Sequence, residues 1–243
     1  MGCTFENTCY ETRSIPTRSG ASKRDNRSIP FRIYDTVGLN EGEQGRVPHW
    51  KAVQALYTLI RGLNGVTLLI YCMRGRIKEN SRANWNLFHT VICGKEVPAI
   101  VVVTGLEHEE NLKDGKQRKE LMTAFKKYQI FPEDLACVVS IRGKHNEHEE
   151  LYNWSQRELR GLIAKNYLDK PWSTNTDKWF AKIYSRVPET GCFSSTSRVE
   201  FVENVGNVVS EMIKETGMKK EDEKKLRTTL LQAERKFQKR RFL

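Results

Sequence analysis

Short apolar runs that alternate with helix-patterned segments are the feature that most constrains the fold of this chain. The runs are rich in β-branched residues and cover residues 31–35, 65–72, 98–104 and 135–140. Nearly continuous apolar runs of this length are typical of strands that are buried on both faces. Strands that alternate with helices form parallel sheets, because each crossover returns the chain to the same end of the sheet. The pattern therefore predicts an α/β domain with a mainly parallel sheet and helices on both faces.

Large apolar residues at helical spacing mark the segments between the runs. The stripes are formed by Trp50, Val53, Leu56 and Ile60, by Trp85, Phe88 and Ile92, and by residues within 151–167. Upstream of the first run, residues 8–14 predict one more strand. The polar, glycine-containing residues 16–28 predict a long exposed hairpin loop.

The pattern changes after Lys170 and predicts a helical C-terminal extension. Residues 179–184 favour a short helix, and residues 202–212 favour a longer helix that ends at Gly217. Residues 226–237 predict a last helix, which is rich in Lys and Arg. We therefore divide the chain into an α/β domain over residues 1–169 and a helical extension over residues 170–243.

The net charge of +11 belongs mainly to the two ends of the chain. Residues 1–32 carry a net charge of +3 and residues 214–243 carry +6, so that the interior is nearly neutral. An enzyme acting on nucleic acid more often places its basic surface on the folded domain, so the distribution disfavours nucleic acid as a partner. The basic last helix is interpreted as a solvated face, or as a docking surface for a protein partner or an acidic membrane.

Cysteine usage and hydropathy indicate a cytoplasmic protein. Cys72, Cys93 and Cys137 lie within or beside apolar stretches and form no metal-binding spacing, which is typical of buried free thiols in a reducing compartment. The sequence opens with no signal peptide, and its apolar runs are too short to predict a transmembrane segment.

An acid followed by a glycine at the end of the first apolar run is the strongest chemical signal. Asp35 and Gly38 form a D-x-x-G motif, followed by the glycine-rich residues 40–45 and then by a helix. In phosphate-hydrolysing α/β proteins a strand-terminal Asp holds Mg²⁺, and the glycine N–H contacts the γ-phosphate. The motif alone is also consistent with a simple turn, but its position favours a nucleotide-sensing switch.

Two further loops follow predicted strands, at residues 104–107 and 140–143. Because ligands of open α/β sheets bind at the carboxyl ends of the strands, all three loops are expected at one end of the sheet. Arg74 and Arg76 follow the second run. These arginines could line a nucleotide site or be simply exposed to solvent, and the sequence favours neither interpretation.

These motifs, together with residues 68–76, resemble those of the immunity-associated nucleotide-binding (GIMAP-like) GTPases in the septin-related branch of P-loop GTPases. They are similar also to fungal G-domain proteins of that general type. The resemblance covers about residues 1–170. It implies a Ras-like G domain in a GTP- or GDP-binding protein, a possible GTP hydrolase.

The resemblance assigns a role to several residues of this chain. Thr8 and Asp35 would hold Mg²⁺, and Gly38 would contact the nucleotide phosphate. The residues that would bind the base are Thr104, Glu107 and Ser140. Possible protein partners or a second copy would dock through the switch regions or the C-terminal helices.

The departures from the family are as informative as the matches. The phosphate-binding motif G-x-x-x-x-G-K-[S/T] occurs nowhere in the sequence, although the resemblance places it before Thr8. Gly105 and Glu107 replace the Lys and Asp that the family uses to bind the base, and Leu39 replaces a water-orienting Gln. Weak catalytic candidates in its place are Gln44 and Arg46.

We therefore expect impaired GTP binding and hydrolysis, and a non-catalytic interaction module that keeps the G-domain fold is the alternative. The resemblance also implies that a central strand, normally paired between the strands that end at Asp35 and near Tyr71, is missing together with the phosphate loop. Three arrangements are then open: the two strands pair directly, water enters between them, or another chain supplies a strand. In each case we expect the chain to be only marginally stable.

Overall fold

The structure is a computed structural model that describes residues 8–11, 15–16, 28–36, 49–78, 81–109, 112–174, 179–188 and 197–241. The strands are β1 (Thr8–Glu11), β2 (Ile15–Pro16), β3 (Ser28–Ile29), β4 (Arg32–Asp35), β5 (Leu69–Arg74), β6 (Ala99–Thr104), β7 (Asp134–Cys137), β8 (Phe180–Pro188) and β9 (Ser197–Val205). The helices are α1 (His49–Gly62), α2 (Ser81–Trp85), α3 (Lys116–Lys127), α4 (Glu149–Asn166), α5 (Asn207–Thr216) and α6 (Lys220–Arg241). A π-helical segment, Asn86–Ile92, continues α2, and short 3₁₀ turns cover Leu112–Asp114 and Lys144–Asn146.

The chain divides into two compact units. Unit 1 consists of residues 1–37 and 63–173, and unit 2 consists of residues 38–62 and 174–243. The helix α1 therefore belongs with the C-terminal elements, although it precedes most of unit 1 in the sequence.

A parallel sheet in the order β5-β6-β7 forms the centre of unit 1 and confirms the α/β prediction. Its middle strand is buried at almost every position, since neighbouring strands and helices enclose it. One face packs against α2 and α3 through residues such as Trp85 and Phe125. The other face packs against α4 through Leu159, Leu162 and Ile163. Helices thus flank both faces of the sheet.

The strand that ends at Asp35 belongs to a separate antiparallel ribbon of unit 1. Its register places Thr8 opposite Asp35 and Glu11 opposite Arg32, and β2 and β3 form a second short antiparallel pair. The predicted strand within residues 8–14 is therefore confirmed as β1, and the predicted loop falls mainly on residues outside the described ones. Phe31 anchors the ribbon, because its ring meets Tyr167 edge-on at 5.4 Å and packs on the α4 face of the sheet.

Unit 2 corrects the prediction for the C-terminal region. The segment predicted as a short helix at 179–184 is mostly strand β8, and residues 202–205 belong to β9, so the next helix begins only at Asn207. The paired strands satisfy their backbone groups across a nine-residue antiparallel ladder. Gly217 ends α5 in a left-handed conformation, as predicted, and α6 confirms the last helix. Among the described residues, none of the helices has the length and apolar character that crossing a membrane requires.

A buried carboxylate ties β7 to two helices in unit 1. Asp134 forms ion pairs with Arg118 of α3 and with Lys165 of α4, whose Nζ lies 2.9 Å away, and it accepts the N–H of Leu135 at 3.0 Å. Burial alone would raise the pKa of Asp134, but the bonds from Lys165 and Leu135 and the charge of Arg118 more than offset burial and hold this pKa below its ordinary value.

The lowered pKa of Asp134 predicts acid-sensitive stability. The ion pairs stabilise the native state above about pH 4, and this stabilisation is lost as the pH falls through the native pKa. We expect Asp134→Asn to lower the free energy of unfolding by about 1–3 kcal/mol at pH 7, and by less at pH 3. Urea denaturation of both chains at the two pH values measures the difference, with the exposed Glu150→Gln as control. An equal loss at both pH values would contradict the assignment.

Candidate functional site

The carboxyl ends of the three parallel strands lie side by side in unit 1. Arg74, the last residue of β5, is the Cα partner of Thr104, the last residue of β6. The ends of β6 and β7 are also in contact, because the N–H of Val138, just after β7, donates to the carbonyl of Val103 in β6 at 2.9 Å. The predicted base-binding loops after β6 and β7 therefore start from neighbouring strands.

Thr104 fixes the start of its loop through two bonds to the end of β5. Its hydroxyl donates to the carbonyl of Met73 at 3.3 Å, and its carbonyl accepts the N–H of Gly75 at 2.9 Å. The hydroxyl of the half-buried Thr104 side chain therefore already donates its hydrogen bond to the neighbouring strand. Thr104 positions the loop that follows it.

Gly105 leaves room for the side chain of Arg74. Its φ angle of +79° lies in the left-handed region, which favours glycine. A Cβ atom built on Gly105 would lie 2.7 Å from Cγ and 3.0 Å from Nε of Arg74. The arginine side chain therefore lies against the backbone of Gly105 and takes the space that a side chain at position 105 would need.

The rest of this loop alternates between buried and accessible residues. Leu106 is buried in the core of the sheet and anchors the loop, and the N–H of Glu109 donates to its carbonyl at 3.2 Å. The side chain of Glu107 is half-buried, whereas His108 is exposed. Burial of Leu106 thus holds Glu107 at the accessible carboxyl end of the sheet.

The loop after β7 contacts the loop after β6 through two histidines. Ser140 is exposed, and the N–H of Val139 before it donates to Oγ of the buried Ser155 at 2.9 Å. Further on, the rings of His108 and His148 meet edge-on with centroids 5.8 Å apart. The loops that carry Glu107 and Ser140 therefore meet at this pair of imidazoles.

The two residues assigned to Mg²⁺ lie opposite each other on the antiparallel ribbon. Thr8 and Asp35 are Cα partners, so their side chains project from the same face. The expectation that Asp35 ends a strand of the parallel sheet is wrong for the described sheets, because β4 pairs with β1 in a separate ribbon.

A hydroxyl and a carboxylate on one face suit Mg²⁺, which takes its remaining oxygen ligands from water and phosphate groups. Among the residues that the structure describes, no group of three or more His, Cys, Asp or Glu side chains is placed to hold a metal ion. Thr8 and Asp35 by themselves do not form a complete set of metal ligands.

Three predicted residues lie outside the described ones, namely the phosphate contact Gly38 and the weak catalytic candidates Gln44 and Arg46. Their assignments stay predictions. One cysteine prediction is wrong, because Cys72 is exposed whereas Cys93 and Cys137 are buried as expected. Cys72 lies on β5, the outermost strand of the described parallel sheet, where a neighbouring strand is lacking on one side.

No protein-family model matches the chain, and no curated protein matches it significantly. The resemblance to GIMAP-like GTPases therefore remains an interpretation of the motifs.

Sequence reasoning missed the histidine pair and the packing of Arg74 on Gly105. His108 and His148 lie 40 positions apart, so that only the parallel order of β6 and β7 brings them together. The replacement of the family's Lys by Gly105 was the available signal for Arg74, because a glycine at a strand end often marks a close approach of another group.

Proposed function

We propose that this chain is a guanine-nucleotide-binding domain of the G-domain type that lacks a phosphate-binding loop. The observation that carries the proposal is the juxtaposition of the loops with Glu107 and Ser140 after neighbouring parallel strands. Ligands of open α/β sheets bind at this end. The Glu107 carboxylate would accept from the base N–H groups, and the Ser140 N–H would donate to the base carbonyl.

The phosphate side of the proposed site is weak. Thr8 and Asp35 would supply two oxygen ligands to Mg²⁺, but the P-loop motif, whose lysine and backbone N–H groups hold the phosphates, does not occur in the sequence. Phosphates contribute much of nucleotide affinity through such groups. We therefore expect recognition of the base with little gain from the phosphates, and slow or absent GTP hydrolysis.

Titration of the full chain with guanosine, GDP and adenosine tests this proposal. We expect guanosine and GDP to bind with similar, roughly millimolar affinity, to shift the backbone NMR signals of Glu107 and Ser140, and to bind more tightly than adenosine. Glu107→Gln should weaken guanosine binding, because an amide replaces one acceptor by a donor. The matched control is Glu109→Gln, which changes an exposed acid of the same loop.

Other outcomes would contradict parts of the proposal. Tight, Mg²⁺-dependent GTP binding would show that phosphate recognition exists without the expected loop. Equal binding of adenosine would contradict guanine selectivity.

A non-catalytic interaction module is the second candidate function. It is favoured by the organisation of the strands, since β4 and β5 are not hydrogen-bonded neighbours in the described sheets. Strand edges without a partner are surfaces on which other chains can pair. Lack of any NMR shift with all three ligands would favour this second function.

A further inference from the structure

Arg74 occupies a defined place at the carboxyl end of the sheet, where the sequence left its role open. It ends β5 and its side chain lies along the backbone of Gly105, with the Cβ position of that glycine 2.7 Å from Cγ and 3.0 Å from Nε. Arg74 is nevertheless exposed, and none of the ion pairs between described residues includes it. The guanidinium group is thus held near the loop, and it forms no ion pair with an acid of the described residues.

A second planar group lies at the other end of the same loop. The loop runs from Gly105 to His108, and the His108 ring meets the His148 ring at 5.8 Å. Gly143 has a φ angle of +75° and provides the space for this contact, because a Cβ atom there would lie 2.8 Å from Cδ2 of His148. A guanidinium and an imidazole therefore mark the two ends of the short loop that presents Glu107.

Planar cationic or aromatic groups recognise flat heteroaromatic rings by stacking. A guanidinium stacks on a ring face through cation–π and π contacts, whereas the ammonium of lysine is a compact point charge without a plane. Glu107 belongs to the same loop, and its half-buried carboxylate is an acceptor for ring N–H groups. This combination suits a purine base with N–H donors on one side.

We propose that Arg74 is a base-binding residue that stacks its guanidinium on a bound purine base. The inference rests on the proposed nucleotide-binding function and names the residue that covers the base. Gly105 is required because a larger residue would displace the Arg74 side chain.

Guanosine titrations of the full-length chain and three variants test the proposal by NMR, with the Arg Nε–H signals as a direct readout. We expect Arg74→Ala to weaken guanosine binding by about fivefold or more, and Arg74→Lys to weaken it nearly as much, because lysine keeps the charge and loses the plane. Arg76→Ala is the matched control, since Arg76 is an exposed arginine two residues further on. That variant should bind like the wild type, and the Arg74 Nε–H signal should shift on binding.

Each alternative result has a distinct meaning. Wild-type binding that Arg74→Ala and Arg74→Lys leave unchanged would overturn the role of Arg74 while the proposed function stands. Full rescue by Arg74→Lys, or an equal loss in Arg76→Ala, would show a general charge effect and would also overturn stacking. Absence of nucleoside binding by the wild-type chain would overturn the proposed function and this inference together. Backbone spectra of the free variants show whether each one is folded.

Discussion

Replacement of Glu234 by alanine is expected to lower the free energy of unfolding by about 3–5 kcal/mol, because it leaves a charge without its partner inside unit 2. Glu234 lies on α6, and its side chain is only 3% exposed. It accepts from the Tyr57 hydroxyl at 2.5 Å and from Nε and Nη2 of Arg61 at 3.1 and 3.3 Å. Both partners belong to α1, so the network joins α6 to α1 within unit 2.

The surroundings explain why this loss is large. Tyr57 is buried and its ring lies 4.8 Å from the ring of Trp179, while the Arg61 guanidinium lies 5.6 Å from the ring of Phe237. Burial, followed by the bond to Glu234, raises the pKa of Tyr57, so its hydroxyl remains a proton donor at all physiological pH values. Water has little access to replace the lost carboxylate at either donor.

Urea denaturation of the full chain, followed by circular dichroism, measures the effect of Glu234→Ala. Tyr57→Phe removes one hydrogen bond and keeps the ring, so we expect a smaller loss of about 1–3 kcal/mol. Glu221→Ala is the surface control on the same helix, because its pair with Lys225 is fully exposed and should leave the midpoint unchanged. A midpoint for Glu234→Ala equal to that of Glu221→Ala would show that the buried network does not stabilise α6 against α1.

The sequence predicted β6 and β7 of unit 1 well, because their burial is strong. Runs such as residues 98–104 face protein on all sides in β6, so their hydrophobicity alone identifies them. The run at residues 31–35 was wrongly expected in the parallel sheet, because β4 is largely exposed and pairs with β1 in a separate ribbon. Unit 2 was predicted less well, since residues 180–188 have no continuous apolar run and their strand is defined by pairing with residues 197–205. Pairing between distant segments leaves no local periodicity, and helical spacing over a few residues can then arise by chance.

For the candidate site, the sequence predicted which loops lie together at the strand ends, but not the contacts between their side chains. The parallel order of β5, β6 and β7 follows from the alternation of elements, and it brings the loops with Thr104 and Ser140 to one end. The contact of Arg74 with Gly105 depends on a rotamer and a left-handed φ angle, which no residue pattern encodes. The histidine pair likewise depends on the loop conformations after two strands.

We expect the hydrogen-exchange rates of successive amides along β5 to alternate strongly, because only one side of this strand is paired in the described sheets. The N–H of Leu69 donates to the carbonyl of Pro98 and the N–H of Gly75 donates to the carbonyl of Thr104, both at 2.9 Å. Because backbone groups alternate in direction along a strand, the odd-numbered residues between them turn their N–H groups towards β6. The N–H groups of Ile70, Cys72 and Arg74 therefore point to the opposite side, where no strand is paired in the described sheets.

Hydrogen exchange of the full chain, followed by NMR, measures this difference residue by residue. We expect the amides of Tyr71 and Met73 to exchange more slowly than those of Ile70 and Cys72 by a factor on the order of a hundred or more, because only the former are bonded within the sheet. The even-numbered amides of β6 serve as the internal control, since β6 has a partner on each side and should be protected at every position. Uniform protection along β5 would contradict the prediction, because it would show that a further segment or a second chain pairs with its outer side. The experiment thus distinguishes an outer side of β5 that is open to water from one that pairs with another segment or with a second chain.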